Sequence, residues 1–297
     1  TDMMDVGQFR AALPPRMRQV PIVLYFHENQ LTFPNHRERE AKSWDRHYAF
    51  LNLTSALLAD AVWFNSEYHR KAFLDAIPDF LKCLPAPRPV DAAERIGACS
   101  EVVPIGIRED VFIAGADRAT VYGEGAPVVV WNHRWEYDKG PDVFLEVLEE
   151  ARRRGARFRI AVMGESFEAV PDSFQRMKAA FLDDIVHWGM VETRSEYVER
   201  LRAADVALVT ARHDFFGISV VESAAAGLEI VAPNALVYPE HFGASRLHDR
   251  DGLCDAFVLA LAQGQRGQWT ENAARYIWPE VAGRAWNSLL RVWGEVV

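Results

Sequence analysis

An aspartate and a glutamate eight residues apart, Asp214 and Glu222, bracket Gly217 in the stretch HDFFGISVVESAAAG (213–227). A carboxylate can accept paired hydrogen bonds from a ribose diol, and the free amides of a helix start favour a phosphate or a sugar hydroxyl. Gly217 would let a ligand approach the backbone around Phe215, Phe216 and Ile218 closely. Upstream, Arg134 and Lys139 stand five apart in WNHRWEYDKG (131–140), so one loop could clamp a diphosphate between a guanidinium and an ammonium. A third group, His27-Glu28-Asn29, ends the apolar run VPIVLYF. Each group also has a plainer reading. Asp214 alone is an N-cap, and Glu222 is an exposed residue or one paired with a basic neighbour. The basic pair is then a solvated loop, and His27 a structural histidine.

Rival chemistries find less support. DRD (249–251) could be a metal–nucleotide string, but it precedes a helix starting near 252 and reads as its capping loop. The chain carries no G-x-G-x-x-G, no P-loop and no G-x-S-x-G. His133, His187 and His213 have no ligand-like spacing with the cysteines, so no metal site is expected.

Short β-rich runs alternating with helical stretches must position these groups, a pattern that predicts α/β layers around parallel sheets. In the first part, strands are expected at 20–30, 61–66 and 101–107, and helices at 37–60 and after Ser66, which reads as a cap. Residues 85–98 read as a Pro/Ala-rich loop and 114–127 as a linker. The pattern then restarts, with strands at 127–134, 157–164, 185–189, 205–212 and 228–234. Helices are expected near 141–154, 171–183, 194–204 and 217–226, followed by two final helices, the last Trp-rich. In such sheets ligands bind beyond the carboxyl ends of the strands. Five strand ends deliver polar groups or glycines there: His27-Glu28-Asn29, then His133 and Arg134 with Lys139, then Gly164, then Gly189 and Met190, and finally His213 and Asp214.

The bulk properties leave room for this. A chain of 297 residues, 49% apolar and 25% charged, suits two α/β domains. It shows no membrane-length apolar run and no signal-peptide pattern, and its three widely spaced cysteines suit a reducing compartment, so a cytoplasmic protein is expected. Asn52-Leu-Thr is a formal glycosylation sequon that reads as chance within a helix. The net charge of −9 argues against a protein held to nucleic acid mainly through phosphates, so any such contact must be local.

Taken together, LYFHENQLTFP, WNHRWEYDKGPDVF, VMGESFEAVPDSF, HWGM, ARHDFFGISVVE and LVYPEHF resemble the tRNA-queuosine α-mannosyltransferases, over about residues 20–245. That family lies within glycosyltransferase family four, of GT-B type. The resemblance implies two Rossmann-like doubly wound domains facing a cleft, at 1–118 and 119–297, with final helices that cross back to the first. It implies GDP-mannose as donor, the cyclopentenediol of queuosine in tRNA as acceptor, and retention of anomeric configuration without a metal. Neither a further cofactor nor a protein partner nor a membrane is implied. By motif, Arg134 and Lys139 would hold the diphosphate and Glu222 the ribose. Asp214 and the amides of Phe215–Gly217, leading into Ile218, would hold the mannose, with His27 beside the sugar. The backbone of Trp188, Met190 and Val191, with Gly164, would face the nucleoside. Glu28, Asn29, Tyr238 and Glu240 would lie on the acceptor side. The chain departs from the family pattern in having Asp214 where Glu is usual. It also starts downstream of the family's first strand and glycine loop, so the N-terminal domain is expected to be incomplete. A family-four enzyme with another donor or acceptor, or a nucleotide-sugar- or RNA-binding protein without turnover, remain the alternatives. Lys139→Ala is expected to weaken donor binding more than it alters folding.

Overall fold

The structure, a computed structural model, describes residues 3–33, 44–112, 121–166 and 170–294. The chain forms two compact units, Thr1–Gly106 with Pro279–Val297, and Ile107–Trp278. The expected domain boundary at 118 and the first part of the 114–127 linker lie outside the described residues, as do residues 37–43 of the first expected helix.

In the first unit, β1 (Val23–Phe26), β2 (Ala61–Phe64) and β3 (Ser100–Val102) make a parallel sheet in the order β1-β2-β3. The central strand β2 is buried at all four positions, as its unbroken apolar run requires. Helices Trp44–Leu58, Glu67–Lys82 and Ala92–Ala98 cover it, and Phe26, Phe64 and Phe73 meet in the core. Ser66 caps its helix as expected, its Oγ accepting from His69 N at 3.0 Å. Residues 92–98 correct the loop expected there. AAERIGA is made mostly of good helix formers, and Ala92 and Ile96, four apart, are both fully buried, so the turn follows the prolines instead of being dissolved by them. Asn52 is fully buried and its Oδ1 accepts from Gln30 N, so the sequon carries no accessible amide.

The second unit holds β4 (Val128–Asn132), β5 (Arg159–Met163), β6 (Ile185–Gly189), β7 (Val206–Leu208) and β8 (Glu229–Val231), all parallel, in the order β6-β5-β4-β7-β8. The order reverses between β4 and β7, which is the topological switch point where an open α/β sheet opens a crevice. β4 is buried at all five positions, as expected of a central strand covered on both faces. Below the strand ends lies an aromatic stack. Phe174 stacks on Trp131 at 4.9 Å and on Trp135 at 4.4 Å, and Trp188 meets Trp135 edge-on. The Trp-rich tail is split into Thr270–Ala274 and Trp278–Gly294, because Ile107 pairs with the backbone between them, donating to Tyr276 O and accepting from Trp278 N. Among the described residues, no helix is long and apolar enough to cross a membrane.

Candidate functional site

At the switch point the loops after β4 and β7 are fastened to each other. Gly140 is left-handed, with φ 64°, and a Cβ there would fall 2.2 Å from Thr210 O. Only glycine allows that approach. Thr210 Oγ1 donates to Gly140 O at 3.0 Å, and the amides of Arg212 and His213 both donate to Asp138 O. This fastening aims Lys139 at the start of the opening motif. Its ammonium donates to Asp214 Oδ1 and to His213 O, each at 2.9 Å, and makes an ion pair of 2.9 Å with Asp138 that is poorly aligned for a hydrogen bond. The three side chains are only 10–12% exposed. The other Asp214 oxygen accepts from Tyr238 Oη at 2.6 Å. Burial, the largest single influence, pushes the Asp214 carboxyl up, but Lys139 together with His133 and the Tyr238 hydrogen bond outweighs it, so the net shift is down. Burial likewise disfavours the Lys139 ammonium, and Asp214 with Asp138 outweighs it, leaving its pKa raised.

The helix Ile218–Ala225 follows Gly217, and Ser219 Oγ meets His133 Nδ1 at 2.8 Å. Burial pushes His133 and His213 down to about 4, so both imidazoles are neutral at pH 7. Phe215 and Phe216 are buried, while Ile218 is exposed at the helix start. The Nε2–H of His241 donates to Phe216 O at 2.6 Å, which leaves Nδ1 to accept from Tyr276 Oη at 2.7 Å.

Glu222 sits on the inner side of this helix, and its carboxylate is held on both oxygens. Arg194 Nη1 donates to Oε1 at 2.6 Å and Tyr197 Oη to Oε2 at 2.8 Å. Arg194 Nη2 reaches on to Asp110 at 3.1 Å, and Tyr197 Oη accepts from Asn132 Nδ2 at 3.0 Å. Beside this group a pocket of about 310 Å³ opens, lined among others by Asn132, Gly164, Met190, Val191, Arg194 and Tyr197. Gly164 shapes its wall, since its φ is 142° and a Cβ would lie 1.9 Å from His133 O. Trp188 packs against Trp135 and Phe174 instead of lining the pocket.

The structure thus brings Lys139, Asp214, Phe215, Phe216, Gly217 and Tyr238 together, and groups Gly164, Met190 and Val191 around the pocket. Tyr238, expected on the acceptor side, is fully buried and donates to Asp214, so it holds that carboxylate and cannot face a ligand. Glu240 is half-buried. Arg134 is separated from Lys139 in environment, with a half-exposed side chain paired to Glu136 at 3.0 Å. In the first unit His27 is exposed beyond β1, its ring 4.4 Å from that of Tyr25, and Glu28 is half-buried. Asn29 is fully buried, and its Oδ1 accepts from the amides of Leu31 and Thr32, which makes it the organiser of its own loop. Sequence reasoning missed Arg194, Tyr197, Asn132 and Asp110. The available signal was an Arg and a Tyr three apart in the first turn of the helix after β6, where both face the same side.

Comparison with known proteins divides at the same place. Residues 1–107 match the family model of the tRNA-queuosine alpha-mannosyltransferase N-terminal region, and residues 117–252 match that of glycosyl transferases group 1. The chain is 32% identical over 242 residues to the tRNA-queuosine alpha-mannosyltransferase of Drosophila melanogaster, covering 80% of this chain and 63% of the relative. It is 25% identical over 255 residues to a GDP-mannose:cellobiosyl-diphosphopolyprenol alpha-mannosyltransferase of Xanthomonas campestris, covering 80% and 64%. The chain therefore spans a little under two thirds of the length of these curated relatives. In fold it is similar to a sucrose-phosphate synthase of Thermosynechococcus elongatus, with a TM-score of 0.70 at 17% identity over 97% of this chain and 71% of that one.

Proposed function

Because the chain is a tRNA-queuosine alpha-mannosyltransferase-like protein with a Rossmann-like GT-B fold, we propose that it moves mannose from GDP-mannose to the cyclopentenediol of queuosine in tRNA. The observation that carries this reading is the match of residues 1–107 to the N-terminal model of that family, since the group 1 match of residues 117–252 speaks only for a glycosyltransferase.

In this reading the nucleoside occupies the pocket beside Gly164, Met190 and Val191, with Glu222 taking the ribose hydroxyls. The diphosphate lies towards Arg134 and Lys139, and the mannose towards Asp214 and the helix start at Gly217 and Ile218. As the bond from the anomeric carbon to the diphosphate oxygen lengthens, positive charge grows on the sugar and negative charge on the leaving oxygen. Cations fixed beside that oxygen stabilise the transition state more than the ground state. Lys139 is already oriented by its three oxygen partners and needs no reorganisation of its loop. Asp214 remains ionised at pH 7, its pKa being held down, and so favours the cationic sugar. His27 and Glu28, at the end of β1, are the groups proposed to meet the acceptor. Configuration is retained and no metal takes part.

The chain is incubated with GDP-mannose and queuosine-containing tRNA, and the tRNA is digested and its nucleosides weighed. Queuosine carrying one hexose is the expected product. Unmodified queuosine from a chain that binds the donor would overturn the acceptor, and equal binding of other sugar nucleotides would overturn the donor.

A further inference from the structure

The Glu222 carboxylate does not stand alone. It is the centre of a row of side chains running Asn132, Tyr197, Glu222, Arg194, Asp110. The direction of each bond is fixed by chemistry. Asn132 Nδ2 can only donate, so Tyr197 Oη accepts there and its own hydrogen goes to Glu222 Oε2. A guanidinium can only donate, and the Arg194 fork spends one nitrogen on Glu222 Oε1 and the other on Asp110 Oδ1. The ring of Tyr197 lies 5.1 Å from the same guanidinium, which limits its swing. Each Glu222 oxygen has two lone pairs and takes one internal hydrogen bond here, so one on each oxygen is left over. The side chain keeps 12% exposure, and Arg194 and Tyr197 themselves form the pocket wall.

We propose that Arg194 and Tyr197 are positioning residues of the donor site, fixing the Glu222 carboxylate so that its remaining lone pairs accept the two ribose hydroxyls of a nucleoside diphosphate. The proposal rests on the reading of Glu222 as the ribose ligand. A carboxylate on a short helix would otherwise rotate about its side-chain torsions, and a diol needs both acceptors in one plane at one spacing. Arg194 does more than supply charge, because its planar fork meets Glu222 and Asp110 through two separate nitrogens in one fixed geometry, which an ammonium on a flexible stem does not impose. The substitution Tyr197→Phe removes one oxygen and leaves Asn132 Nδ2 bonded to Ser219 O and Ser223 Oγ, so it tests the idea with little disturbance of packing.

The measurement is the affinity of GDP and of its 2′,3′-dideoxy analogue, by calorimetry, for the unsubstituted chain and for Arg194→Met, Arg194→Lys and Tyr197→Phe. Loss of hydrogen bonds to a charged group should make the unsubstituted chain prefer GDP by at least roughly ten-fold. The preference should shrink to within about three-fold in Arg194→Met and Tyr197→Phe, with Arg194→Lys intermediate. A merely structural role would weaken both ligands equally and leave their ratio unchanged, and that result in the two well-folded variants overturns the proposal. No preference in the unsubstituted chain overturns it as well. Failure of that chain to bind GDP at all overturns the donor reading itself, and the two failures are thereby distinguished.

Discussion

Replacing Lys139 by Met removes the one cation set between two buried carboxylates. Asp138 and Asp214 each lie 2.9 Å from its nitrogen, and all three side chains are 10–12% exposed. Breaking a buried pair in this way typically costs about 3–5 kcal/mol, because the remaining charge has no counter-charge and little water. The cost should depend on pH in a defined direction. In the unsubstituted chain the Asp214 pKa is held down, because Lys139, with His133 and the Tyr238 hydrogen bond, together outweigh burial. Its contribution is therefore present above the unfolded pKa of about 3.9 and drains away as pH falls through the lower folded value. In Lys139→Met the largest opponent of burial is gone and the Tyr238 hydrogen bond remains, so burial, the strongest influence, raises the folded pKa and the variant takes up a proton on folding. The deficit should be largest near pH 7 and should shrink as pH approaches the carboxylate range. Urea unfolding followed by tryptophan fluorescence, at pH 7 and at pH 5, gives the difference. The double variant Lys139→Met with Asp214→Asn should recover part of it at pH 7. Donor affinity measured on the same samples ranks the two roles, and the buried setting predicts that folding suffers at least as much as binding. A loss below about 1 kcal/mol with no pH dependence, the range of an exposed pair, would refute the reasoning.

Other outcomes follow from single contacts. Gly164→Ala places a Cβ 1.9 Å from His133 O at a φ of 142°, and should cost more than about 2 kcal/mol in thermal or urea unfolding. Tyr238→Phe deletes the 2.6 Å bond to Asp214 inside the core, and should cost about 1–2 kcal/mol in urea unfolding while lowering transfer from GDP-mannose. His133, His213 and His241 are pushed down to about 4 by burial, so the unfolded chain takes up their protons first. Stability should be full above the ordinary histidine value of about 6.5 and fall as pH drops towards 4, by up to about 1.4 kcal/mol per pH unit for each ring. Their ring protons should not titrate between pH 6 and 8 by NMR. Arg134→Ala should raise the KM for the donor and leave the urea midpoint unchanged, since that side chain is half-exposed.

What could be read from the sequence was local, and what could not was pairwise. Strand cores and the Ser66 cap are properties of a few adjacent residues: among the described residues seven of the eight strands fall inside the runs expected for them, and β3 begins one residue before its run. Lys139 and Asp214 are 75 residues apart and Glu222 and Arg194 are 28 apart, so no local pattern tells that each is already partnered. The same limit placed Tyr238 towards the acceptor, for a polar tip on a short motif says nothing of which side it is buried on. These pairings change the electrostatics of the proposed donor site. Asp138 and Asp214 flank Lys139, and Glu222 and Asp110 flank Arg194, so in each group two carboxylates meet one cation and neither offers a diphosphate surplus positive charge. An anion binding here must draw a cation away from a carboxylate. Arg134 gives up only a pair with Glu136 that solvent largely screens, worth about 0–1 kcal/mol, whereas Lys139 gives up buried contacts several times as costly. If the proposed donor site is correct, the economical division of labour has Arg134 turning to the diphosphate and supplying affinity. Lys139 would then keep Asp214 in place and share its charge with the leaving oxygen without abandoning either carboxylate.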